Sequence, residues 1–182
     1  MQTEESWAQQ FPELFAAADW PWAQVDVRYT VDRPDDGLLS NVHVIARTPE
    51  GIIACSNDLG WRFLPGGTRE AGETIEELVR RELVEEAGAR LLGPLTWLGG
   101  HRADHRRPTP YRPHLPHPLS YWATVVADVV LEGPPTNPED GEQVVEVLVL
   151  PPTEAAAYLD AKDDGGHNMG SQVRLAQAMG LV

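Results

Sequence analysis

The chain of 182 residues is poor in several things. Cys55 is its only cysteine, which excludes an internal disulfide and any cysteine-built zinc cluster. Its neighbours Gly51-Ile52-Ile53-Ala54 read as a strand, so a buried thiol is expected there rather than a nucleophile. Lys162 is the only lysine, and arginine supplies the rest of the positive charge. That charge is outweighed: the formal net charge is −14 and the pI about 4.7. This balance argues against binding to long DNA or RNA, because such affinity comes mainly from cations against phosphates. A small anionic substrate held through metal ions is not excluded. No apolar run is long enough to span a bilayer. The opening residues MQTEESWAQQ lack the apolar stretch of a signal peptide, so a cytoplasmic protein without membrane contact is expected. There is no internal repeat.

Acid is abundant, and one stretch uses it oddly. Residues 67–89, GTREAGETIEELVRRELVEEAGA, follow Trp61-Arg62-Phe63-Leu64-Pro65-Gly66, with a Pro-Gly-Gly turn at the junction. Thr74-Ile75-Glu76-Glu77 reads as a capping box and Gly88 as a left-handed cap, which predicts a helix between them. At about 100° per residue, Ile75, Leu78, Val79 and Leu83 form one apolar stripe. Glu82 and Glu86 fall inside it and Glu85 on its border, while Glu76, Glu77, Arg80 and Arg81 take the solvated side. Carboxylates facing a core are costly unless paired, protonated or bound to metal.

Elsewhere the pattern alternates between strands and a few helices. Residues 4–18 carry helical spacing interrupted by Pro12, and Asp19-Trp20-Pro21-Trp22 reads as a turn or arm whose tryptophans serve packing. Strands are expected at 23–31, 42–48, 51–56, 61–64, 90–99, 120–131 and 144–150, with a hairpin at Pro49-Glu50-Gly51. Helices are expected at 154–159 and 169–179. The order implies an α/β fold with a mixed sheet covered by helices. We divide it into an N-terminal helical arm, 1–22, and a main domain, 23–182. The tryptophans of the arm could pack on their own domain or on a second subunit, as in a homodimer.

Residues 101–119 hold five prolines and read as one long loop. Arg102, Arg106, Arg107 and Arg112 make it a positive island suited to phosphate, and Tyr111 or His114 could stack on a base. The spacing His101-x3-His105 with His114-x2-His117 also permits a zinc reading, which the lack of a cysteine partner disfavours. The turn 137–141 is acidic, followed by Glu142 and Glu146.

Gly67, five residues, Glu73, seven residues, Arg81-Glu82-Leu83, one residue, Glu85-Glu86, one residue, Gly88 and apolar Ala89 resembles the Nudix box throughout. Ala89 is smaller than the usual Ile, Leu or Val. The resemblance implies an α/β/α sandwich over roughly residues 40–160. It implies hydrolysis of a nucleoside diphosphate linked to another moiety, with Mg²⁺ or Mn²⁺ held by Glu82, Glu85 and Glu86 and the Gly66 carbonyl. Gly67, Glu73, Arg81 and Gly88 would be structural, the Glu73–Arg81 ion pair tying loop to helix. The general base would be a box glutamate, Glu85 or Glu82, or a later one, with Glu142 preferred over Glu146. Arg62 joins the loop arginines as a candidate for substrate binding, and Asp163-Asp164-Gly165-Gly166 stands where some members touch substrate. The alternative from another class is a ligand sensor of the same fold that binds a nucleotide-linked metabolite without turnover. Such sensors often have a degraded box and an added nucleic-acid-binding domain, and this sequence has neither.

Overall fold

The computed structural model describes residues 2–162 and 167–182. Two short helices, α1 (Glu4–Gln10) and α2 (Pro12–Phe15), open the chain on either side of Phe11. Among the described residues ten strands follow: β1 (Ala18–Trp20), β2 (Val25–Thr30), β3 (Leu39–Thr48), β4 (Gly51–Asn57), β5 (Arg62–Phe63), β6 (Gly66–Thr68), β7 (Ala89–Leu91), β8 (Thr96–His105), β9 (Leu119–Leu131) and β10 (Val144–Leu150). Helix α3 (Ile75–Glu82) separates β6 from β7, and α4 (Pro152–Asp160) and α5 (Met169–Ala178) close the chain.

The strands run β1-β2-β8-β9-β3-β4-β10, with β5 on β4, β6 on β3 and β7 on β9. The β3–β9 pair is parallel and its neighbours antiparallel, so the sheet is mixed, with helices on both faces. Strand β2 alternates, burying Val25, Val27 and Tyr29, as a half-covered strand must. Strand β9 lies between β8 and β3 and buries Ala123, Val125, Val126 and Ala127 in succession. That continuous run is what a strand covered on both faces requires. Trp7 and Leu14 of the N-terminal helices belong to the same core as Val42, Val44, Leu78 and Leu83.

Four expectations need correction. The long loop is shorter than 101–119: β8 continues to His105, and the loop spans only 106–118. All five prolines lie beyond 105, and the backbone of 101–105 is paired on both sides, His101 with Tyr29 and with Trp122. Trp20 ends a strand, paired with Val25, instead of lying in a turn. Gly66–Thr68 pairs with Asn41–His43 as a strand rather than turning. The helix does not stay regular to Gly88. After Glu82 it widens into a π-turn, Leu83–Ala87. The Val84 and Glu85 carbonyls accept the Thr136 and Asn137 amides at 3.3 and 3.2 Å, so tertiary bonds take groups the helix would otherwise use.

Candidate active site

The site is built on α3. Thr74 Oγ1 accepts the Glu77 amide at 3.2 Å, and Glu77 returns its carboxylate to the Thr74 amide at 2.8 Å, completing the capping box. Ile75, Leu78, Val79 and Leu83 are buried, and so are Glu82 and Glu86, with Glu85 half-buried. Gly88 ends the turn at φ 62°, where a Cβ would lie 2.1 Å from the Gly133 carbonyl oxygen. The same segment then leads, through Thr136 and Asn137, to the loop carrying Glu142.

Strand β6 comes close enough to touch the carboxylates because it is glycine. The Gly66 amide donates to Glu86 Oε2 at 2.9 Å. A Cβ on Gly67 would lie 2.3 Å from Glu82 Oε1. Arg81 is the organising cation. Its guanidinium forks onto Glu73 at 2.8 and 3.1 Å, and reaches Glu82 at 2.7 Å, Glu85 at 3.3 Å and the Thr68 carbonyl at 3.2 Å. It is therefore half-buried and paired, where the helical wheel placed it in solvent. Burial alone would raise the Glu73 carboxyl, but the Arg81 bonds hold it below its ordinary value.

The negative charge is not fully balanced. Burial, and then the charge of Glu82, push Glu86 well above the usual carboxylate range, against the opposing Gly66 bond. Burial also raises Glu82, against Arg81. The cluster is thus short of positive charge at Glu86, and its donors are hard oxygens of the kind Mg²⁺ and Mn²⁺ select. Among the described residues no three His, Cys, Asp or Glu side chains are drawn into a cage. Mg²⁺ does not need one, since it retains waters and shares its sphere with substrate phosphate. The residues fit such an ion.

These carboxylates open onto a cleft of about 910 Å³. Glu142 lines it, open to solvent on one side, and the partial loss of water around its carboxyl raises it against a hydrogen bond from Asn57. Glu146 instead accepts the Tyr158 hydroxyl at 3.0 Å and is not part of the lining. Arg62 lines the cleft with its guanidinium stacked 4.0 Å from the Tyr158 ring centre. Arg107, Tyr111 and Arg112 line it too. The buried Arg107 Nε has no hydrogen-bond partner among the described residues.

The other loop candidates are elsewhere. Arg102 points to Asp104 at 3.3 Å, and Arg106 is held by Asp26 at 2.5 Å and Asp19 at 2.6 Å. Neither lines the cleft, because carboxylates on β1, β2 and β8 itself capture them first. His114 is bonded to the Arg69 carbonyl at 2.8 Å, away from the lining. The four histidines do not form one cluster either, although the His105 and His117 rings meet at 5.8 Å. His101 is buried against Trp20 and Tyr29, whereas His105 Nε2 meets Ser120 Oγ at 2.8 Å. Asp163-Asp164-Gly165-Gly166 lies outside the described residues. Cys55 is buried, its thiol pushed up by burial and the charge of Glu86.

Sequence reading missed one wall. Trp22, Trp122, His43 and His167 all line the cleft. Trp122 had a signal, since it shares a strand face with polar Ser120 inside an otherwise apolar run. Trp22 had none.

A model of the NUDIX domain matches residues 34–168. No curated protein matches the chain. Among solved structures, the Bacillus subtilis pyrophosphohydrolase BsRppH is 20% identical, with 74% of this chain and 77% of that one covered and a TM-score of 0.55. A NUDIX hydrolase from Nitrosomonas europaea is 17% identical, covering 76% and 90%, at 0.53. The E. coli ORF135 protein is 16% identical, covering 76% and 88%, at 0.50. At these identities the structural likeness is one of fold.

Proposed function

The chain belongs to the Nudix family, and from that premise we propose that it hydrolyses the pyrophosphate linkage of a nucleoside diphosphate joined to a second moiety. The observation that carries this reading is the juxtaposition of buried Glu82 and Glu86 with a cleft whose lining also holds Arg107, a cation with a buried, unpartnered Nε. Acid on one side and a waiting cation on the other suit a polyanion bridged by metal.

Glu82, Glu85, Glu86 and the Gly66 carbonyl would hold Mg²⁺ or Mn²⁺. The ion, when bound, offsets phosphate charge and lowers the pKa of water. The residues of the chain do the rest. Arg81 fixes Glu82 and Glu85 against the helix, so their oxygens face the cleft without loss of side-chain freedom at the reaction. Water adds to one phosphorus and the P–O bond to the leaving phosphate breaks. Glu142 takes the proton from that water, its raised pKa bringing it nearer neutrality than an ordinary carboxylate. Arg62, Arg107 and Arg112 bind the phosphates, and Arg102 and Arg106 do not contact them. We further propose that residues 1–22 act as an arm of the 23–182 domain.

The test is a substrate panel run with Mg²⁺ and with Mn²⁺: ADP-ribose, NADH, a dinucleoside polyphosphate, a nucleotide sugar and an oxidised nucleoside triphosphate. Hydrolysis in oxygen-18 water, with the label located in the products, identifies the phosphorus attacked. Folded protein that turns over none of them with either metal would sink the hydrolase reading.

A further inference from the structure

We propose that Trp22, carried on the turn between β1 and β2, is the nucleobase-stacking face of the cleft. This rests on the reading of the substrate as nucleotide-like and adds the residue that receives its base.

Trp22 is the outermost ring of a fixed aromatic cluster. It is 53% exposed and lines the cleft, whereas Trp20 behind it is 5% exposed. The two indoles are nearly parallel, 19° apart with centres 5.9 Å from each other. Trp122 braces Trp22 from β9, with ring centres 5.7 Å apart. An indole half open to water at the edge of a polar cleft leaves apolar area exposed that a flat heteroaromatic ring would cover.

The turn is held before any ligand arrives. Trp20 pairs with Val25 across it, and the Ala23 and Gln24 amides donate back to the Trp20 and Pro21 carbonyls at 3.1 and 3.2 Å. The Arg106 amide donates to the Gln24 carbonyl at 2.9 Å, and its guanidinium bridges Asp19 on β1 and Asp26 on β2. The residue after that clamp is Arg107. One stitched unit therefore presents a ring and a phosphate-binding cation to the same cleft, the order in which a nucleotide presents base and phosphate. The rigidity matters, because a ring that is already positioned loses little entropy on stacking. Trp22 lies before residue 34, where the match to the family model begins.

The experiment uses the full chain with Mg²⁺. AMP, GMP, CMP, UMP and ribose 5-phosphate are titrated, with tryptophan fluorescence and calorimetry as readouts. The nucleotides should quench fluorescence and bind roughly 5- to 150-fold tighter than ribose 5-phosphate, the range of one aromatic–base stack. Trp22→Ala should reduce nucleotide affinity to the ribose 5-phosphate level, and Trp22→Phe should keep part of the preference. On any panel substrate that turns over, the Trp22→Ala effect should fall on KM rather than kcat. Nucleotide binding by Trp22→Ala as tight as by the parent overturns the proposal, as does equal binding of ribose 5-phosphate, or a loss produced by Tyr111→Ala instead. Turnover with no dependence on Trp22 leaves the hydrolase standing and removes only this inference. Base-selective binding through Trp22 without turnover does the reverse.

Discussion

A charge on Glu86 stands in a place that penalises it, and that penalty is useful only if a cation arrives to offset it. The residue is 7% exposed, and its carboxylate receives one amide hydrogen from Gly66 and feels Glu82, Glu85 and Glu142. Glu86→Gln keeps an oxygen for Gly66 and removes the charge. We expect kcat to fall on the order of 10²- to 10⁴-fold at saturating Mg²⁺, and the metal-free Tm to rise because repulsion is relieved. An unchanged rate at saturating metal would show that Glu86 is not a ligand. Arginines make a second contrast. Arg107→Ala should raise KM by about tenfold with a smaller change in kcat, while Arg102→Ala, already occupied by Asp104, should move neither. Steady-state kinetics on one turned-over substrate checks both. Sequence grouped these arginines as one positive island. It could not separate them, because strand pairing decides which of them face the cleft, and Arg106 is captured by Asp19 and Asp26 far away in the chain.

Between β6 and β7, helix α3 acts as a rigid support whose strength depends on Arg81. Arg81 binds Glu73, Glu82, Glu85 and a backbone carbonyl at once. Lysine keeps the charge but not the planar fork. Arg81→Lys is therefore expected to cost about 1–3 kcal/mol of stability and to reduce kcat, since Glu82 loses its anchor. Thermal unfolding and kinetics on the same sample test it, and an unaltered Tm would show that the fork adds nothing beyond charge. The capping box, the buried stripe and the Gly88 cap were legible because each is local and depends on side chains within one or two turns. The π-turn was not. Its cause is the segment 132–137 bonding to Gly88, Val84 and Glu85, and nothing in the helix sequence registers that.

Across the whole molecule, histidine burial sets a pH dependence. His101 is buried against rings on β1 and β2, and burial, with nearby His167 and His43, lowers its pKa to about 3. His43 is likewise lowered to about 3. Unfolded, each takes a proton below about 6.5. Between that value and about 3 the unfolded chain therefore holds more protons, and stability must fall as pH falls. Each histidine contributes up to about 1.4 kcal/mol per pH unit. His101→Gln should flatten this acid limb by one such contribution, read from urea unfolding at pH 7, 6 and 5. A slope identical to the parent's would show that His101 is protonated in the folded protein.

What the sequence determined by itself was the chemistry: the family, the mixed α/β architecture, and which glutamates turn inward. These follow from local periodicity and fixed spacing, which a linear chain displays without folding. What only the tertiary structure decided was the company those groups keep. It started the proline loop at 106, moved two arginines out of the cleft, and set Trp22 and Trp122 into its wall. Such placements come from strand pairing between residues far apart in sequence, and from competition among distant charges for the same arginine. Neither is written in the spacing of neighbours.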